Sequence, residues 1–550
     1  MQQFNPIDAA LLFLETPSTP FHVSMTCIYD PSTCPGDAPT FEDIVEAVRV
    51  SLPGAPSFRR KIVRVPFDVD YPYWVEDEHF DLEYHMRHLA LPKPGNWEQF
   101  RTQVSRIISR PLDLSRPPWE ITVIEGLDNV KGLSKGCFAL VLKVHHCAID
   151  GQAGVALFTL LQQDSPNKKP AVLKDTWKPE PVPEEKELIK NAWINGVKKP
   201  AKIARLVWTN RSSLFKAVVH EEHEDEHADH EEDEHVVVPK TPWQGKVSPH
   251  RIFDDVRCTL EELKRVRSVV PGSTINDVCL TIVAEGMRRY LKAKNKLPKH
   301  SLLTAVPIAT RTPEQAKAGG NQISLTRVML RTDIEDPIER LEAITTETSA
   351  KKAMQNGVVM KTILDVVYNL PGTLVGLAAK AAPTLVLRSD EGVICNTMVT
   401  NVPGPLQPMY LLGAKNVYST GCSPLMEGGG LLHAVSSFHG DFLFTFTACR
   451  ELVKDSDFYR QCLEDAVKAV IGRADKELAK PRRALPDKKE PASKKAATTK
   501  SSATRKRTAI KKKSVTRKSA ASKKQAATPA KSAAKKPVAK KSAASKTAAS

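Results

Sequence analysis

A chain of 550 residues is longer than a single hydrophobic core usually supports, so we expect more than one domain. The net charge of +17 is confined to one end, because residues 481–550 hold 23 Lys+Arg and 2 Asp+Glu whereas the preceding 480 residues hold 57 and 61. Ten cysteines without a CxxC pair argue against a disulfide framework or a zinc cluster, and we predict no metal site.

The first 165 residues mix strand-like and helix-like segments, which predicts a layered α/β domain over residues 1–165. The strand-like runs are Phe21–Tyr29 and Phe138–His146. The helix-like segments are Phe41–Ser51, Trp97–Ile108 and Gly151–Gln163.

Residues 166–246 are predicted to be a linker, because prolines are frequent at its start. A helix is expected at Glu184–Trp208. The following segment, His220–His235, holds five His and ten Asp/Glu in sixteen residues. Imidazole and carboxylate groups both bind metals, but this composition favours a solvated, flexible connector that is dispensable for catalysis.

Residues 247–480 form a second predicted α/β block. Its strongest element is an amphipathic helix at Ile275–Lys292, with Ser273 and Thr274 as candidate caps. Residues 481–550 are dominated by Ala, Lys, Ser, Thr and Arg and contain no aromatic residue. Such a segment buries too little apolar surface to offset its ordering entropy, so we expect a disordered tail.

The predicted strand Phe138–His146 ends in two histidines, which begin the motif His145-His146-Cys147-Ala148-Ile149-Asp150-Gly151. This HHxxxDG pattern resembles the signature of acyl-CoA-dependent acyltransferases and related condensing enzymes. Strand alternation places His146 in phase with Val144 and His145 in phase with Lys143, so the two rings should point to opposite faces. Ester formation from a thioester requires removal of an alcohol proton, which an imidazole of pKa about 6.5 can accept at neutral pH. We predict that His146 is the general base and that His145 is structural.

Two roles are open for Asp150: it orients the imidazole, or it holds the turn through an arginine or backbone amides. Gly151 would release the backbone into the next helix. The alternative is that both histidines are hydrogen-bonded core residues without catalytic function. The coincidence of two histidines, an aspartate and a glycine after a strand favours the catalytic interpretation.

Two other nucleophiles are conceivable. Residues 132–136 match GxSxG, but Ser134 precedes a strand in a polar loop instead of following one, so we interpret the match as accidental. Cys147 adjoins His146, yet neighbours in an extended chain diverge and no positive setting for a thiolate is visible. Direct transfer without a covalent enzyme intermediate is therefore favoured.

Further motifs narrow the choice of family. The segment Pro111–Glu120, PLDLSRPPWE, resembles the PLDxxxPLW element of the bacterial wax ester synthase/diacylglycerol acyltransferase family, with Pro118 in place of Leu. Asn276-Asp277 resembles the ND motif of that family. Pro6-Ile7-Asp8 and the following residues resemble its N-terminus.

Later segments continue the resemblance in the family's order. Val306–Arg311 resembles the MPxSxR element, with Ala309 in place of Ser, and Thr400–Pro405 resembles the SNVPGP loop. The resemblance covers residues 4–475. It implies two chloramphenicol-acetyltransferase-like domains, the CoA-dependent acyltransferase fold, with an active-site tunnel between them.

The resemblance suggests roles for the motif residues. Trp119 would wall an acyl channel, since its apolar area suits a fatty chain, or it is a buried core residue. Asn276 would donate to the thioester oxyanion or fix the domain junction. The alternative is that Asn276 and Asp277 cap a helix.

The remaining motif residues lie later in the chain. Arg311 would pair with Asp150 or a CoA phosphate, or form a surface ion pair. Asn401 and Gly404 would shape a loop near the junction, where a glycine permits close backbone approach.

The leading hypothesis is an acyltransferase that uses long-chain acyl-CoA as co-substrate, needs no cofactor, and acylates diacylglycerol and, as a second acceptor class, fatty alcohols. One alternative is a condensation domain that forms amides or esters. Another is a non-catalytic protein that binds polyanions through its tail.

The tail and the body together suggest a location. The first residues are not basic and no run of about 18 apolar residues occurs, so we expect a cytoplasmic protein without signal peptide or membrane span. The basic tail would attract an anionic membrane or lipid-inclusion surface at about 1 kcal/mol per charge. Its other potential partner is nucleic acid, bound without sequence specificity. Lipid tethering is preferred, because the substrates dissolve in membranes.

Overall fold

The computed structural model describes residues 1–148, 160–196, 238–309, 323–354, 370, 372–388 and 394–480. The described residues belong to one compact unit. Asp150, Gly151, Arg311, the segment 220–235 and the tail 481–550 lie outside the described residues, as does most of the helix predicted at 151–163.

The first sheet has six strands, which are β2 (His22–Asp30), β5 (Met86–Ala90), β6 (Trp119–Leu127), β7 (Cys137–His145), β12 (Tyr410–Leu411) and β13 (Ala414–Cys422). Their order is β12-β13-β2-β7-β6-β5. β7 pairs antiparallel with β2 on one side and β6 on the other. All nine residues of β7 are buried, so the histidine motif follows a central strand.

Alternation along β7 divides its side chains between two cores. Leu140 and Val144 pack with Trp119 on one face, whereas Ala139 and Val141 pack with residues of a helix on the other. A strand that is buried on both faces has a nearly continuous run of apolar residues in its sequence. This explains why the segment is recognisable in the sequence.

The second sheet also has six strands, which are β8 (Arg251–Thr259), β9 (Leu303–Ala309), β10 (Ile323–Met329), β11 (Thr397–Val402), β14 (Leu431–Phe438) and β15 (Asp441–Cys449). Their order is β10-β9-β11-β14-β15-β8, and β11 runs parallel to both of its neighbours. A small third sheet contains β1 (Gln2–Gln3), β3 (Arg60–Val63) and β4 (Tyr73–Glu76) in the order β1-β4-β3.

The described helices are α1 (Pro6–Phe13), α2 (Phe41–Ser51), α3 (Leu82–His85), α4 (Trp97–Ser109), α5 (185–196), α6 (Leu260–Val269), α7 (Ile275–Ala293), α8 (Pro337–Met354), α9 (Gly372–Arg388) and α10 (Ser456–Leu478). The layered α/β prediction is confirmed. The helix predicted at 184–208 is helical over 185–196, and its remainder lies outside the described residues.

Helix starts follow local capping chemistry. Thr40 caps α2, Asn96 caps α4 and Thr274 caps α7, each in a reciprocal box with the residue three positions on. The prediction that Thr274 caps this helix is therefore confirmed. Among the described residues, we find no helix with both the length and the hydropathy required to traverse a bilayer.

The chain crosses between the two sheets late in the sequence. β13 pairs with β2, placing Cys422 opposite Ser24, although it follows strands of the second sheet. The Thr420 hydroxyl of β13 hydrogen-bonds to Thr445 of β15, which links the two sheets. The proposed domain bounds at 165 and 246 stay predictions, and residues 410–422 belong to the first sheet.

Candidate active site

The histidine pair lies where β7 leaves the first sheet. β7 ends at His145, and residues His146–Ala148 form one 3-10 turn. The His145 N–H donates to the Pro118 carbonyl at 2.9 Å, and the His146 N–H donates to the Phe21 carbonyl at 2.8 Å. Pro118 of the PLDLSRPPWE segment directly precedes β6, and Phe21 of the N-terminal segment directly precedes β2. Both neighbouring strands therefore fix the position of the turn.

His145 is fully buried and uses both ring nitrogens. Nε2 lies 2.8 Å from the Glu15 carboxylate, and Nδ1 accepts the Cys147 N–H at 3.2 Å. Because Nδ1 accepts, the proton sits on Nε2 and points at Glu15. This ring anchors the turn, as a structural role requires.

His146 is half-buried, one residue beyond the strand. Its ring centroid lies 6.2 Å from that of Phe21, with the ring planes tilted by 56°. Burial lowers the pKa of His146, and the adjacent His145 adds to this effect, while a hydrogen bond to its own backbone opposes it. A lowered pKa keeps the imidazole neutral, and therefore able to accept a proton, at neutral pH.

Cys147, His145 and Glu15 lie in a row that resembles a nucleophile with its base and orienting acid. The Cys147 Sγ is 2.9 Å from His145 Nδ1. However, Cys147 is only 2% exposed, and burial raises the pKa of its thiol well above the ordinary value. A neutral, buried thiol is a poor nucleophile, so the geometry does not favour a covalent acyl-enzyme.

Trp119, the first residue of β6, lies in the core of the first sheet. Its ring stacks on His85 at 4.4 Å and meets Phe58 edge-on at 5.3 Å. The indole N–H donates to the Phe58 carbonyl at 2.7 Å. These contacts correspond to the core alternative, and they place Trp119 opposite Val144, two residues before His146.

Asp277 lies in the first turn of α7, and both of its carboxylate oxygens accept hydrogen bonds from nearby groups. One carboxylate oxygen accepts the Thr274 N–H at 2.8 Å, and the other accepts the Thr348 hydroxyl at 2.9 Å. Asp277 therefore caps α7 and ties it to α8, in agreement with the capping alternative. Asn276 is half-buried beside it.

Two further motif residues lie at the end of β11. Asn401 is exposed, whereas Gly404 is half-buried against β14. A Cβ added to Gly404 would lie 2.1 Å from the Ser437 carbonyl oxygen, so the close backbone approach expected here is present. Asp150, Gly151 and Arg311 lie outside the described residues, and their predicted roles stay predictions.

The GxSxG segment lies far from the histidines. Ser134 precedes β7, at the opposite end of that strand from His146, and its hydroxyl donates to Asp30 at 2.9 Å. The nine residues of β7, with a rise of about 3.3 Å each, separate the two ends. Ser134 is therefore not part of this site.

Glu15 was not assigned a role from the sequence, although it stands in the N-terminal segment that carries the family resemblance. Its side chain is 12% exposed and contacts a ring that is 130 positions away. The periodicity of the sequence does not predict a contact between Glu15 and His145. The only local signal in the sequence is an acidic residue two positions after the end of an apolar helix.

We expect Glu15→Ala to lower stability by about 1–3 kcal/mol, because it leaves the buried His145 N–H without an acceptor. It should also lower kcat more than it raises KM, since the turn carrying His146 loses its anchor. Glu15→Gln keeps an acceptor oxygen and should recover most of both losses. Urea unfolding and steady-state kinetics of the two variants test this; equal kcat in wild type and Glu15→Ala would contradict a positioning role.

Two six-stranded sheets, with a histidine pair at the end of a central strand, define a protein of the CoA-dependent acyltransferase fold class. Residues 4–279 match the catalytic domain of the wax ester synthase/diacylglycerol acyltransferase family, and residues 319–470 match the C-terminal domain of that family. The chain belongs to this family.

Named relatives of the chain belong to the same class of enzyme. A Mycobacterium tuberculosis strain H37Rv protein named as a diacylglycerol O-acyltransferase is 32% identical over 421 residues, covering 75% of this chain and 84% of its own length. A second from that strain is 27% identical over 478 residues, covering 86% and 91%.

Solved structures share the fold. The wax ester synthase/diacylglycerol acyltransferase from Marinobacter aquaeolei VT8 matches with a TM-score of 0.61 at 24% identity, covering 86% of this chain and 100% of that one. The first condensation domain of the calcium-dependent antibiotic synthetase matches with a TM-score of 0.50 at 11% identity, covering 86% and 96%. At these identities the likeness concerns the fold alone.

Proposed function

We propose that the protein transfers the acyl group of a long-chain acyl-CoA directly to the hydroxyl group of a diacylglycerol, with His146 as the general base. The observation that carries this proposal is the difference between the two histidines. His145 has both ring nitrogens engaged, whereas His146 is half-buried at the strand end with a lowered pKa. Family membership supports the acyl-CoA and acyl-acceptor classes.

The reaction needs no covalent enzyme intermediate. The acceptor oxygen attacks the thioester carbonyl carbon while His146 takes the hydroxyl proton. As the tetrahedral intermediate collapses, the C–S bond breaks, and the CoA thiolate takes the proton from the imidazolium. The lowered pKa of His146 suits both steps, because the ring accepts a proton at neutral pH and releases it readily.

A fatty alcohol is the second candidate acceptor. The observation that favours it is the match of residues 4–279 to a family described by wax ester synthesis as well as by diacylglycerol acylation. The chemistry at His146 is the same for both, because each acceptor presents one hydroxyl group on an apolar body.

Purified protein with labelled palmitoyl-CoA and either diolein or hexadecanol tests the proposal. We expect triacylglycerol from diolein, and wax ester from hexadecanol if both acceptors are used. Transfer to a primary amine with no transfer to either alcohol would instead favour a condensation reaction. Absence of product from every acceptor would contradict the proposed function.

We further propose that the basic tail holds the enzyme at an anionic membrane or lipid-inclusion surface. Its support is the net charge of +21 in residues 481–550, against −4 in the rest of the chain. Removing residues 481–550 should weaken salt-sensitive binding to anionic vesicles while sparing turnover of detergent-dispersed substrate. An unchanged binding isotherm would contradict the tether, and salt-sensitive loss of DNA binding alone would favour nucleic acid.

A further inference from the structure

Exposed apolar side chains concentrate in three segments that meet on one part of the surface. Of the eighteen large apolar side chains exposed among the described residues, seven lie in the loop 64–71, in α5 and in α9. We call this set the apolar patch; its members are Phe67, Val69, Ile189, Trp193, Ile194, Leu374 and Leu377. Phe67 is 94% exposed and Trp193 is 77% exposed, which is unusual for aromatic side chains in a folded body.

Asp70 joins the three segments. The Asn195 side chain of α5 donates to the Asp70 carboxylate at 2.8 Å. A Cβ added to Gly372 at the start of α9 would lie 2.8 Å from the backbone of Asp70, so the helix and the loop are in close contact. The Tyr71 hydroxyl donates to the Leu370 carbonyl at 2.7 Å.

Helix α9 has one packed face and one open apolar face. Gly372, Gly376 and Ala379 are buried, and a Cβ added to Gly376 would contact the Phe13 ring of α1 at 3.6 Å. The exposed residues at 374, 377, 378 and 381 are Leu, Leu, Ala and Ala. This i, i+3, i+4, i+7 spacing gives an apolar stripe along the outer side of the helix.

Phe67 is held outward by a strained backbone. Its φ is +59° and that of Asp68 is +50°, in the left-handed region that a bulky side chain rarely adopts. Such strain costs about 1–3 kcal/mol and persists where the surroundings enforce it. Here Lys380 of α9 pairs with Asp68 at 2.9 Å and fixes the loop against the helix.

Basic side chains lie beside the patch, together with carboxylates. Arg64 and Lys380 share the single carboxylate of Asp68, at 3.4 and 2.9 Å. Asp70 lies in the same loop, so two cations and two carboxylates lie next to the exposed Phe and Leu side chains. Aromatic and leucine side chains flanked by Lys and Arg are typical of segments that lie in a lipid interface.

The hydrophobic core beneath the patch extends to the turn that carries His146. Phe13 and Tyr71, Ala379 of α9, and Cys147 belong to one hydrophobic core. Cys147 directly follows His146. Within the part of the chain that the structure describes, α1 and this small core therefore lie between the open face of α9 and the proposed base.

We propose that the apolar patch is the face with which the protein lies on a lipid surface, so that a membrane-dissolved acceptor approaches from the side of α1 and α9. The proposal rests on the proposed function, because only a lipid acceptor makes this position useful. It is independent of the basic tail, since apolar insertion persists at high salt whereas tail attraction is screened.

The test uses the full chain with the double substitution Phe67→Ser and Leu377→Ser, compared with wild type. The matched control is Leu325→Ser with Phe458→Ser, which removes two exposed apolar side chains elsewhere. Binding to phosphatidylcholine vesicles containing diolein is measured by cosedimentation at about 0.5 M NaCl, where charges are screened beyond about 4 Å.

We expect the patch variant to bind these vesicles about tenfold or more weakly than wild type, and the control variant to bind as wild type does. The patch variant should keep its turnover of detergent-dispersed diolein and lose turnover of vesicle diolein. Equal binding by wild type and patch variant, or equal loss in both variants, would overturn the proposal. So would self-association of the wild type that the patch variant lacks, without vesicle binding. If wild type, patch variant and control variant all failed to turn over dispersed diolein, the proposed function would be contradicted. The vesicle-binding measurement would still test the role of the apolar patch.

Discussion

Replacing His146 by alanine should lower kcat for acyl transfer by about 10²–10⁴-fold, the usual contribution of a positioned general base. The half-buried ring lies outside the central strand, so its removal should leave the fold intact. His79→Ala is the matched control, because that histidine is 86% exposed. Product formation is measured with labelled acyl-CoA, and circular dichroism verifies folding. A folded His146→Ala protein with wild-type kcat would refute the role of His146.

The pH profile supplies a second measurement on the same ring. Burial lowers the pKa of His146, so its neutral form persists to lower pH than that of an ordinary histidine. The midpoint of the acid limb in the pH profile of kcat/KM should therefore lie below about pH 6.5. An acid limb well above that value would indicate a different base.

Replacing Trp119 by alanine should lower the free energy of unfolding by about 3–5 kcal/mol, as for other large buried aromatic residues. The cavity would open between His85 and Phe58, and the Phe58 carbonyl would lose its donor. Trp119→Phe keeps most of the apolar volume and should lose less.

Trp193→Ala is the control for this experiment, because Trp193 is 77% exposed. Its substitution should change stability by about 0.5 kcal/mol or less. Denaturant unfolding measures all three variants. If Trp119→Ala left stability unchanged and altered the preferred acyl chain length instead, the tryptophan would line a channel and would not be a core residue.

The strands and helices that the sequence predicted well are those with a local physical cause. α2 begins and ends at the predicted residues, because Thr40 and Asp43 form a capping box before an amphipathic run. β7 is recognisable because both of its faces are buried. Its end differs by one residue from the prediction, since His146 enters a 3-10 turn while its N–H still bonds to Phe21.

The parts of the site that the sequence could not predict depend on contacts between distant residues. Glu15 meets His145 across 130 positions, and neither residue marks the other in the sequence. For Trp119 both alternatives were open, because one large apolar ring suits a channel wall and a core equally. The stack on His85 and the bond to Phe58 are tertiary contacts that no spacing rule encodes.

The late return of the chain to its first sheet has a consequence for biosynthesis. β2 cannot acquire its partner β13 until residue 422 has left the ribosome, almost 400 positions after β2 itself. Until then the nascent N-terminal half carries an open strand edge, which invites pairing with other chains. Contacts of such long sequence separation form slowly, so the edge of β2 is exposed to aggregation for most of the time that the chain is being synthesised.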